Sequence, residues 1–325
     1  IVHVMGRGIV IDEPSVVAVR TNPSGAREVL AVGHQAKQML GRAPGTIETI
    51  RPMRDGVIAD YVATEEMLRQ FIGRTRSSFL GLRRPRILIC VPSGATPVER
   101  RAVYETAMQA GARRVYIAEE PVVAAIGAGL PVNDSGGTMV VDIGGGTTDI
   151  AVLSLGGVIK SRSLRVAGNA MDEAIVRYIR REHKMIISDL TAERIKIEIG
   201  SASRVVNGLT NEIEVRGRDP REGRTKTVSV FPQQVAEALQ GVVESLTEFV
   251  GDTIGELPME VASDINDRGV LLSGGGALLR KLDRELELRL GIPVRVSENP
   301  LHCVVRGAAL LLQNLDQHEH LLITP

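Results

Sequence analysis

The chain has 325 residues, of which 43% are hydrophobic and 24% are charged, and this balance is typical of a globular protein with a packed core. The composition excludes a disordered chain, a collagen-like chain and a polytopic membrane protein. Lys and Arg number 39 and Asp and Glu also number 39, so no global basic field indicates nucleic acid as the main partner. Aromatic residues make up 2% and Trp is absent, so platforms for stacking single-stranded bases are not expected.

The length predicts two domains, or one elaborated domain. The chain opens inside a strand-like run, Ile1–Met5, and we expect further sequence upstream of it. Residues 12–65 are polar and interrupted by Gly and Pro, which predicts a small inserted subdomain.

A basic loop follows. Between Met67 and Val98 the chain has no acidic residue, and it carries Arg69, Arg74, Arg76, Arg83, Arg84 and Arg86 around the apolar run 79–82. Such a tip can enter a bilayer while each cation contributes about 1 kcal/mol at anionic head groups. The alternative is that Phe79 and Leu82 pack in the core and the arginines are solvated.

Two segments show the same order of strand, helix, strand and helix, which indicates an α/β protein. The first segment is predicted as a strand at Arg86–Val91, a helix from the capping box Thr96-Pro97-Val98-Glu99 to about Ala110, a strand at Val115–Ala118 and a helix at Val122–Ala128. The second is predicted as a strand at Gly269–Ser273, helix Ala277–Leu290, strand Val294–Val296 and a helix from Asn299-Pro300 to Leu312.

The spacing within these segments predicts a duplication. Gly111 follows Ser93 by 18 positions, and Gly291 follows Ser273 by 18. Two related α/β halves with a cleft between them would explain this match. The alternative is that strand–turn–helix units commonly look alike.

A glycine turn joins two predicted strands, Thr138–Val141 and Ile150–Leu155. Its sequence is Asp142-Ile143-Gly144-Gly145-Gly146-Thr147-Thr148-Asp149. Without Cβ atoms the main-chain N–H groups can approach an anion, and the two threonines add hydroxyls. Asp142 can hold Mg²⁺ through water. The alternative is a flexible turn.

Residues 170–228 carry two helical patterns and then alternating strands, Asn211–Val215 and Thr225–Phe231, around the turn 219–223. This predicts a second inserted subdomain. A second glycine turn, Ser273-Gly274-Gly275-Gly276, is predicted to open a helix whose N-terminus favours phosphate. Neither turn has the Walker A or the dinucleotide-binding pattern. We expect the two turns to face each other across the gap between the halves and to bind a triphosphate.

These motifs resemble the actin-like ATPase superfamily, which includes heat-shock chaperones and sugar kinases. Residues 141–148 resemble its second phosphate loop, and residues 272–276 resemble its adenosine-side loop. Three further motifs, at 51–60, 90–95 and 120–129, resemble the MreB family of bacterial actin homologues over nearly the whole chain. The family's first phosphate loop precedes the segment that begins at Ile1, and we expect it upstream.

The resemblance implies an α/β, actin-like (ribonuclease H-like) duplicated fold with two domains around a nucleotide cleft. Domain I would be residues 1–132, with an inserted subdomain at about 12–65, completed by residues 300–325. Domain II would be residues 133–299, with an inserted subdomain at about 165–229.

The resemblance also implies roles for individual residues. Glu120 would position or activate the water that attacks the γ-phosphate, and Thr147 would position water and phosphate; the alternative for Glu120 is favourable charge at a helix start. Asp142 would hold Mg²⁺ through water. The implied nucleotide-binding residues are Gly144, Gly145, Gly146, Thr147, Thr148, Gly168, Asn169, Glu193, Lys196, Gly274, Gly275 and Gly276. Asn169 could instead be a helix N-cap, and Glu193 with Lys196 a solvated ion pair.

The function implied is an ATP-dependent, filament-forming cytoskeletal protein that hydrolyses ATP with Mg²⁺ and organises peptidoglycan synthesis to maintain rod shape. Its implied place is the cytoplasm, peripheral on the inner membrane face through Phe79, Leu80 and Leu82. Its implied partners are itself, inner membrane lipids and cell-wall elongation proteins (MreC, MreD, RodZ-like), and not nucleic acid. The alternatives are a sugar-kinase-like or chaperone-like ATPase, or a filament protein without hydrolysis.

Overall fold

A computed structural model describes residues 1–22, 25–54, 56–75, 84–205 and 212–324. The predicted membrane residues Phe79, Leu80 and Leu82 lie outside the described residues. The chain divides into two compact units, residues 1–129 with 302–325, and residues 130–301. Among the helices of the described ranges, none combines the length and apolar character needed to cross a membrane.

Strands and helices are interspersed along the whole chain. The strands are β1 Val2–Val4, β2 Gly8–Ile11, β3 Val17–Thr21, β4 Arg27–Val32, β5 Ile47–Ile50, β6 Met53–Arg54, β7 Val57–Ile58, β8 Arg86–Val91, β9 Arg114–Glu119, β10 Thr138–Ile143, β11 Thr148–Ser154, β12 Gly157–Leu164, β13 Ile213–Arg218, β14 Thr225–Val230, β15 Val270–Ser273, β16 Val294–Val296 and β17 Leu322–Ile323. The helices are α1 His34–Met39, α2 Tyr61–Thr75, α3 Pro97–Gln109, α4 Glu120–Gly127, α5 Gly168–His183, α6 Asp189–Ile199, α7 Pro232–Gly255, α8 Met259–Arg268, α9 Leu282–Leu290, α10 Cys303–Gln313 and α11 Leu315–His318.

In its described residues the first unit contains two three-stranded sheets that pack against helices, besides the two-stranded pairs β1-β2 and β6-β7. In the sheet ordered β4-β3-β5, Val17 and Val19 pack in the core that includes Phe71 of α2, whereas Ala18 packs in the core that includes Ala36 of α1. This alternation is the period of two that a strand buried on both faces requires. The other sheet is ordered β17-β9-β8, with β8 and β9 parallel.

Helix α4 is held against α10 by a close glycine contact. A Cβ atom at Gly127 would lie 1.9 Å from the main-chain oxygen of Cys303, and one at Gly307 would lie 1.8 Å from that of Val123. Only glycine permits backbones to approach this closely. The contact fixes α4, whose first residue is Glu120.

The second unit is built on a mixed sheet ordered β12-β11-β10-β15-β16. Strands β10, β11 and β12 are antiparallel, and β10, β15 and β16 are parallel. Every residue of β10 and β11 is buried, as expected for central strands covered on both faces. Helices α5, α6 and α7 contribute Ile175, Ile195 and Leu239 to the same core.

The predicted duplication agrees with the observed order of elements. Strands β8 and β9 are parallel with α3 between them, and β15 and β16 are parallel with α9 between them. The capping box of α3 is confirmed, because Thr96 accepts from the Glu99 amide and Glu99 accepts from the Thr96 amide.

Two predicted helix starts are wrong. Residues Gly275–Leu278 form one turn of 3₁₀ helix, and α9 begins only at Leu282. The chain leaves the helical path between them because Ala202 donates to the main-chain oxygen of Arg280 and Lys281 adopts a φ of 61°. Likewise Pro300–His302 is a 3₁₀ turn, and α10 begins at Cys303.

Candidate phosphate-binding site

Both glycine turns follow neighbouring strands of one sheet in the second unit. Because β10 and β15 are parallel, their carboxyl ends lie at the same edge, with Asp142 opposite Ser273. The Ser273 hydroxyl donates to Asp142 Oδ1 at 2.5 Å. The expectation that the turns face each other across the gap between the two halves is therefore wrong; they lie side by side within one unit.

Asp142 is a buried carboxylate beside a second one. Its cross-strand neighbour is Asp149, and both are almost inaccessible to solvent. The pKa of Asp142 is raised to about 6, mainly because the carboxyl group is buried; the Ser273 hydrogen bond opposes the shift, and repulsion from Asp149 adds to it. At neutral pH the group is mostly ionised at a free-energy cost that a nearby cation would reduce.

The first turn, residues 144–147, is anchored to the start of α5. The Gly144 amide donates to the Thr147 oxygen at 2.9 Å and closes the turn. The amides of Gly168 and Asn169 donate to the oxygens of Gly144 and Gly145, at 3.1 and 2.7 Å. Helix α5 begins at Gly168 with Ala167 in the cap position, so the interpretation of Asn169 as N-cap is wrong.

Glycine is required at some positions of the two turns by packing and at others is not. A Cβ at Gly274 would lie 2.3 Å from the Ile143 oxygen, and one at Gly276 would lie 2.2 Å from Ile143 Cγ2. These two glycines are required by the packing of the second turn on the first. By contrast, a Cβ at the exposed Gly145 would meet only Asn169 Oδ1, at 3.9 Å. Packing therefore does not require a glycine at position 145. Because Gly145 is exposed and has no side chain, a ligand can approach its main-chain atoms. Gly275 is exposed, and a Cβ there would lie 3.2 Å from a methyl group of Leu301.

The two threonines occupy different positions. Thr148 is fully buried, and its hydroxyl donates to the Val166 oxygen at 2.7 Å. Thr147 is 7% exposed and lies within the turn. Thr148 therefore secures the start of β11, while Thr147 is the threonine at the turn itself. Gly146 lies between Gly145 and Thr147 and is partly exposed.

Lys196 links α6 to the start of α5. Its Nζ donates to the Gly168 oxygen at 2.9 Å and lies 2.8 Å from Asp172 Oδ1, and both side chains are less than one fifth exposed. The alternative that Lys196 forms a solvated ion pair with Glu193 is therefore wrong. Glu193 is half-buried one turn earlier in α6. Asp172, in the second turn of α5, is a partner that the sequence reasoning did not assign.

Glu120 belongs to the first unit. It is the first residue of α4 and follows β9 directly, with Glu119 in the cap position. It is half-buried. The second unit brings together all the other predicted nucleotide residues at the edge where β10 and β15 end and along α5 and α6.

Comparison with known proteins assigns the family. The profile of the MreB/Mbl protein family matches residues 1–320. The cell shape-determining protein MreB of Escherichia coli (strain K12) is 52% identical over 319 residues, covering 98% of this chain and 91% of that protein.

Solved structures agree with this assignment. The crystal structure of MreB5 of Spiroplasma citri bound to ADP matches with a TM-score of 0.90 at 33% identity, covering 98% of this chain and 94% of that one. The structure of the same protein bound to AMPPNP matches with a TM-score of 0.89 at 33% identity, covering 97% and 93%. The chain therefore belongs to the MreB/Mbl family and has its actin-like fold.

Proposed function

We propose that this chain is a nucleotide-dependent cytoskeletal ATPase that polymerises and determines cell shape. The observation that carries the proposal is the pair of glycine turns at one sheet edge beside the buried Asp142. Support comes from the Spiroplasma citri relative, which binds ADP and AMPPNP, and from the name of the Escherichia coli relative as cell shape-determining.

The proposed nucleotide site follows the strand ends. The phosphates bind the main-chain amides of Gly145 and Gly146, the Thr147 hydroxyl and the neighbouring Asn169 side chain, with Gly144, Thr148 and Gly168 holding the turn in place. The second turn, Gly274–Gly276, forms the adenosine side with Glu193 and Lys196.

The cation site is proposed at Asp142. Mg²⁺ binds proteins through one or two carboxylates and keeps several waters, and this fits a buried pair of aspartates. The described residues hold no cluster of three or more His, Cys, Asp or Glu side chains that would form a full protein cage. When bound, Mg²⁺ supplies positive charge that offsets the phosphate oxygens. The same charge would hold Asp142 ionised.

Hydrolysis is proposed to depend on Glu120. Its carboxylate would accept a hydrogen bond from the attacking water, and Thr147 would position that water and the phosphate. Tight packing of Gly127 on Gly307 keeps α4, and therefore this carboxylate, in a fixed place within the first unit.

Polymerisation is proposed to use opposite charges at two ends of the second unit. The C-terminal end of α5 packs at the first turns of α7, where Gln234 contacts His183 and Tyr178 donates to Glu237. Lys226 of β14 also donates to the His183 oxygen. We give the name basic end to five exposed cations of this region: Lys184, Arg216, Arg218, Arg221 and Arg224.

The far end of α7 is acidic. Residues 232–267 contain no Lys or Arg, and we give the name acidic end to four of the exposed acids of this stretch: Glu248, Asp252, Glu260 and Asp267. At 1.5 Å per residue, Glu248 and Asp252 lie about 20 to 25 Å along α7 from its first turns. Contact between the basic end of one copy and the acidic end of the next is heterologous and propagates into an open filament.

Membrane binding is proposed through the apolar run Phe79, Leu80 and Leu82. Two of the nearby arginines already have partners, because Arg69 pairs with Glu65 and Glu66, and Arg74 pairs with Glu13. Arg84 and Arg86 are exposed and would contact lipid head groups. A filament on the inner membrane face would organise peptidoglycan synthesis with cell-wall elongation proteins of the MreC, MreD and RodZ type.

The first prediction concerns hydrolysis. Glu120→Gln removes the acceptor charge but keeps the side-chain volume, so ATP hydrolysis should fall about 100-fold while ATP affinity stays within about threefold. Phosphate release and equilibrium binding measure the two quantities. The matched control is Glu119→Gln, which should hydrolyse ATP normally. Equal hydrolysis by wild type and Glu120→Gln would instead favour a role in helix-start electrostatics.

The second prediction concerns the filament. Arg216→Glu with Arg218→Glu, and separately Glu248→Lys with Asp252→Lys, should each raise the critical concentration for ATP-dependent sedimentation at least about tenfold, because like charges then meet. An equimolar mixture should pellet again, since its alternating contacts pair opposite charges. Arg101→Glu, at an exposed position of α3 in the first unit, is the control. If either double variant sediments with the same critical concentration as wild type, the proposed pairing of the basic end with the acidic end is wrong.

The third prediction concerns the membrane. Replacing Phe79, Leu80 and Leu82 by Ser should reduce co-sedimentation with vesicles of anionic lipid about tenfold, because the inserted apolar area is lost. Filament formation without vesicles should be unchanged. The control replaces the exposed Leu155 of the second unit by Ser. Undiminished vesicle binding by the triple variant would show that the run does not insert.

A further inference from the structure

The chain that leaves the second glycine turn contacts the end of α6. Arg280 follows Gly276 by four residues, and Gly200, which ends α6, follows Lys196 by four. Arg280 Nη2 donates to the Glu198 oxygen at 2.7 Å and to the Ile197 oxygen at 3.3 Å, and Nη1 donates to the Gly200 oxygen at 3.3 Å. One guanidinium group thus binds three main-chain acceptors.

Charge and geometry both favour arginine here. The last carbonyl groups of a helix have no partner within the helix and carry the negative end of its dipole. A planar guanidinium presents five donors in a fixed fork, whereas an ammonium group is a compact point charge on a flexible stem. Arg280 is half-buried, so water screens the interaction only in part.

Main-chain contacts reinforce the same junction. The Ala202 amide donates to the Arg280 oxygen at 2.8 Å, which pairs Ser201 with Arg280 as a short parallel bridge. Lys281, in the left-handed region, donates through Nζ to the Val205 oxygen. The break between the 3₁₀ turn and α9 therefore lies where the chain makes hydrogen bonds with the end of α6 and the residues that follow it.

Together with the contacts of the first turn, these contacts form a ring of connected elements around the candidate site. The first turn accepts hydrogen bonds from the start of α5, and Lys196 of α6 binds the start of α5. Arg280 then joins α6 to the second turn, whose Gly276 packs on Ile143 at the end of β10. Each of the two turns is thus connected to α6 by hydrogen bonds, the first turn through the start of α5 and the second turn through Arg280.

We propose that Arg280 is a positioning residue for nucleotide binding. It sets the separation between the second turn, Gly274–Gly276, and the face of α6 that carries Glu193 and Lys196, so that both can hold one adenosine. This inference rests on the proposed function. Arg280 itself does not touch the nucleotide; it acts through the two elements that it joins.

The test compares binding of two anions to folded protein. Affinities for Mg-ATP and for inorganic Mg-tripolyphosphate are measured by displacement of a fluorescent ADP analogue from wild type, Arg280→Met, Arg280→Lys and the control Arg284→Met. Arg284 is exposed on α9 and pairs with Glu287 on the same helix. Measurement about 20 °C below each variant's unfolding midpoint keeps loss of fold separate from loss of binding.

The expected result is that Arg280→Met binds ATP at least about tenfold more weakly than wild type while tripolyphosphate affinity stays within twofold. Arg280→Lys should recover part of the loss, and Arg284→Met should match wild type. A lower unfolding midpoint with unchanged ATP affinity would overturn the proposal, as would an equal loss for both anions. Failure of wild type to bind ATP at all would instead reject the nucleotide site, whatever the variants do.

Discussion

The parallel pairing of β10 with β15 is the constraint on which the site depends. It sets Asp142 opposite Ser273 and thereby brings two glycine turns to one edge of one sheet. On its other side β10 pairs with β11, which places Asp142 beside Asp149, and burial between these strands raises the pKa of Asp142 to about 6. A carboxylate kept in this setting is costly to ionise in the absence of a cation. The sheet thus produces, at a single edge, an accessible main chain at Gly145 and a buried carboxylate at Asp142, the two features on which the proposed nucleotide site depends.

The surroundings of this edge are rigid because each turn is bound on more than one side. Amides of α5 donate to the first turn, Lys196 binds the start of α5, and Arg280 binds the end of α6. Such second contacts are what hold a binding group within a fraction of an ångström of its working position. In the first unit the close packing of Gly127 and Gly307 has the same effect on α4.

Sequence reasoning succeeded where the signal was local. The capping box of Thr96 and Glu99, the strand before Asp142 and the end of α9 at Leu290 all follow from residue type and short spacing. It failed where contacts between residues far apart in the sequence determine the local structure. The helix expected from Ala277 is interrupted because Arg280 pairs with Ser201, and the partner of Lys196 is Asp172 on another helix. The resemblance placed both glycine turns in domain II, but their position at one edge of one sheet depends on strand order, which spacing along the chain does not reveal.

Gly145 offers the most direct test, because packing does not require a glycine there and its φ lies outside the left-handed region. A valine at this position should leave the thermal unfolding midpoint within about 2 °C of wild type, since no described atom would lie closer than 3.9 Å to its Cβ. It should obstruct the approach of phosphate to the first turn. Titration with Mg-ATP should therefore show tight, one-site binding to wild type and at least about 100-fold weaker binding to Gly145→Val. Equal affinity of the two folded proteins would contradict the account.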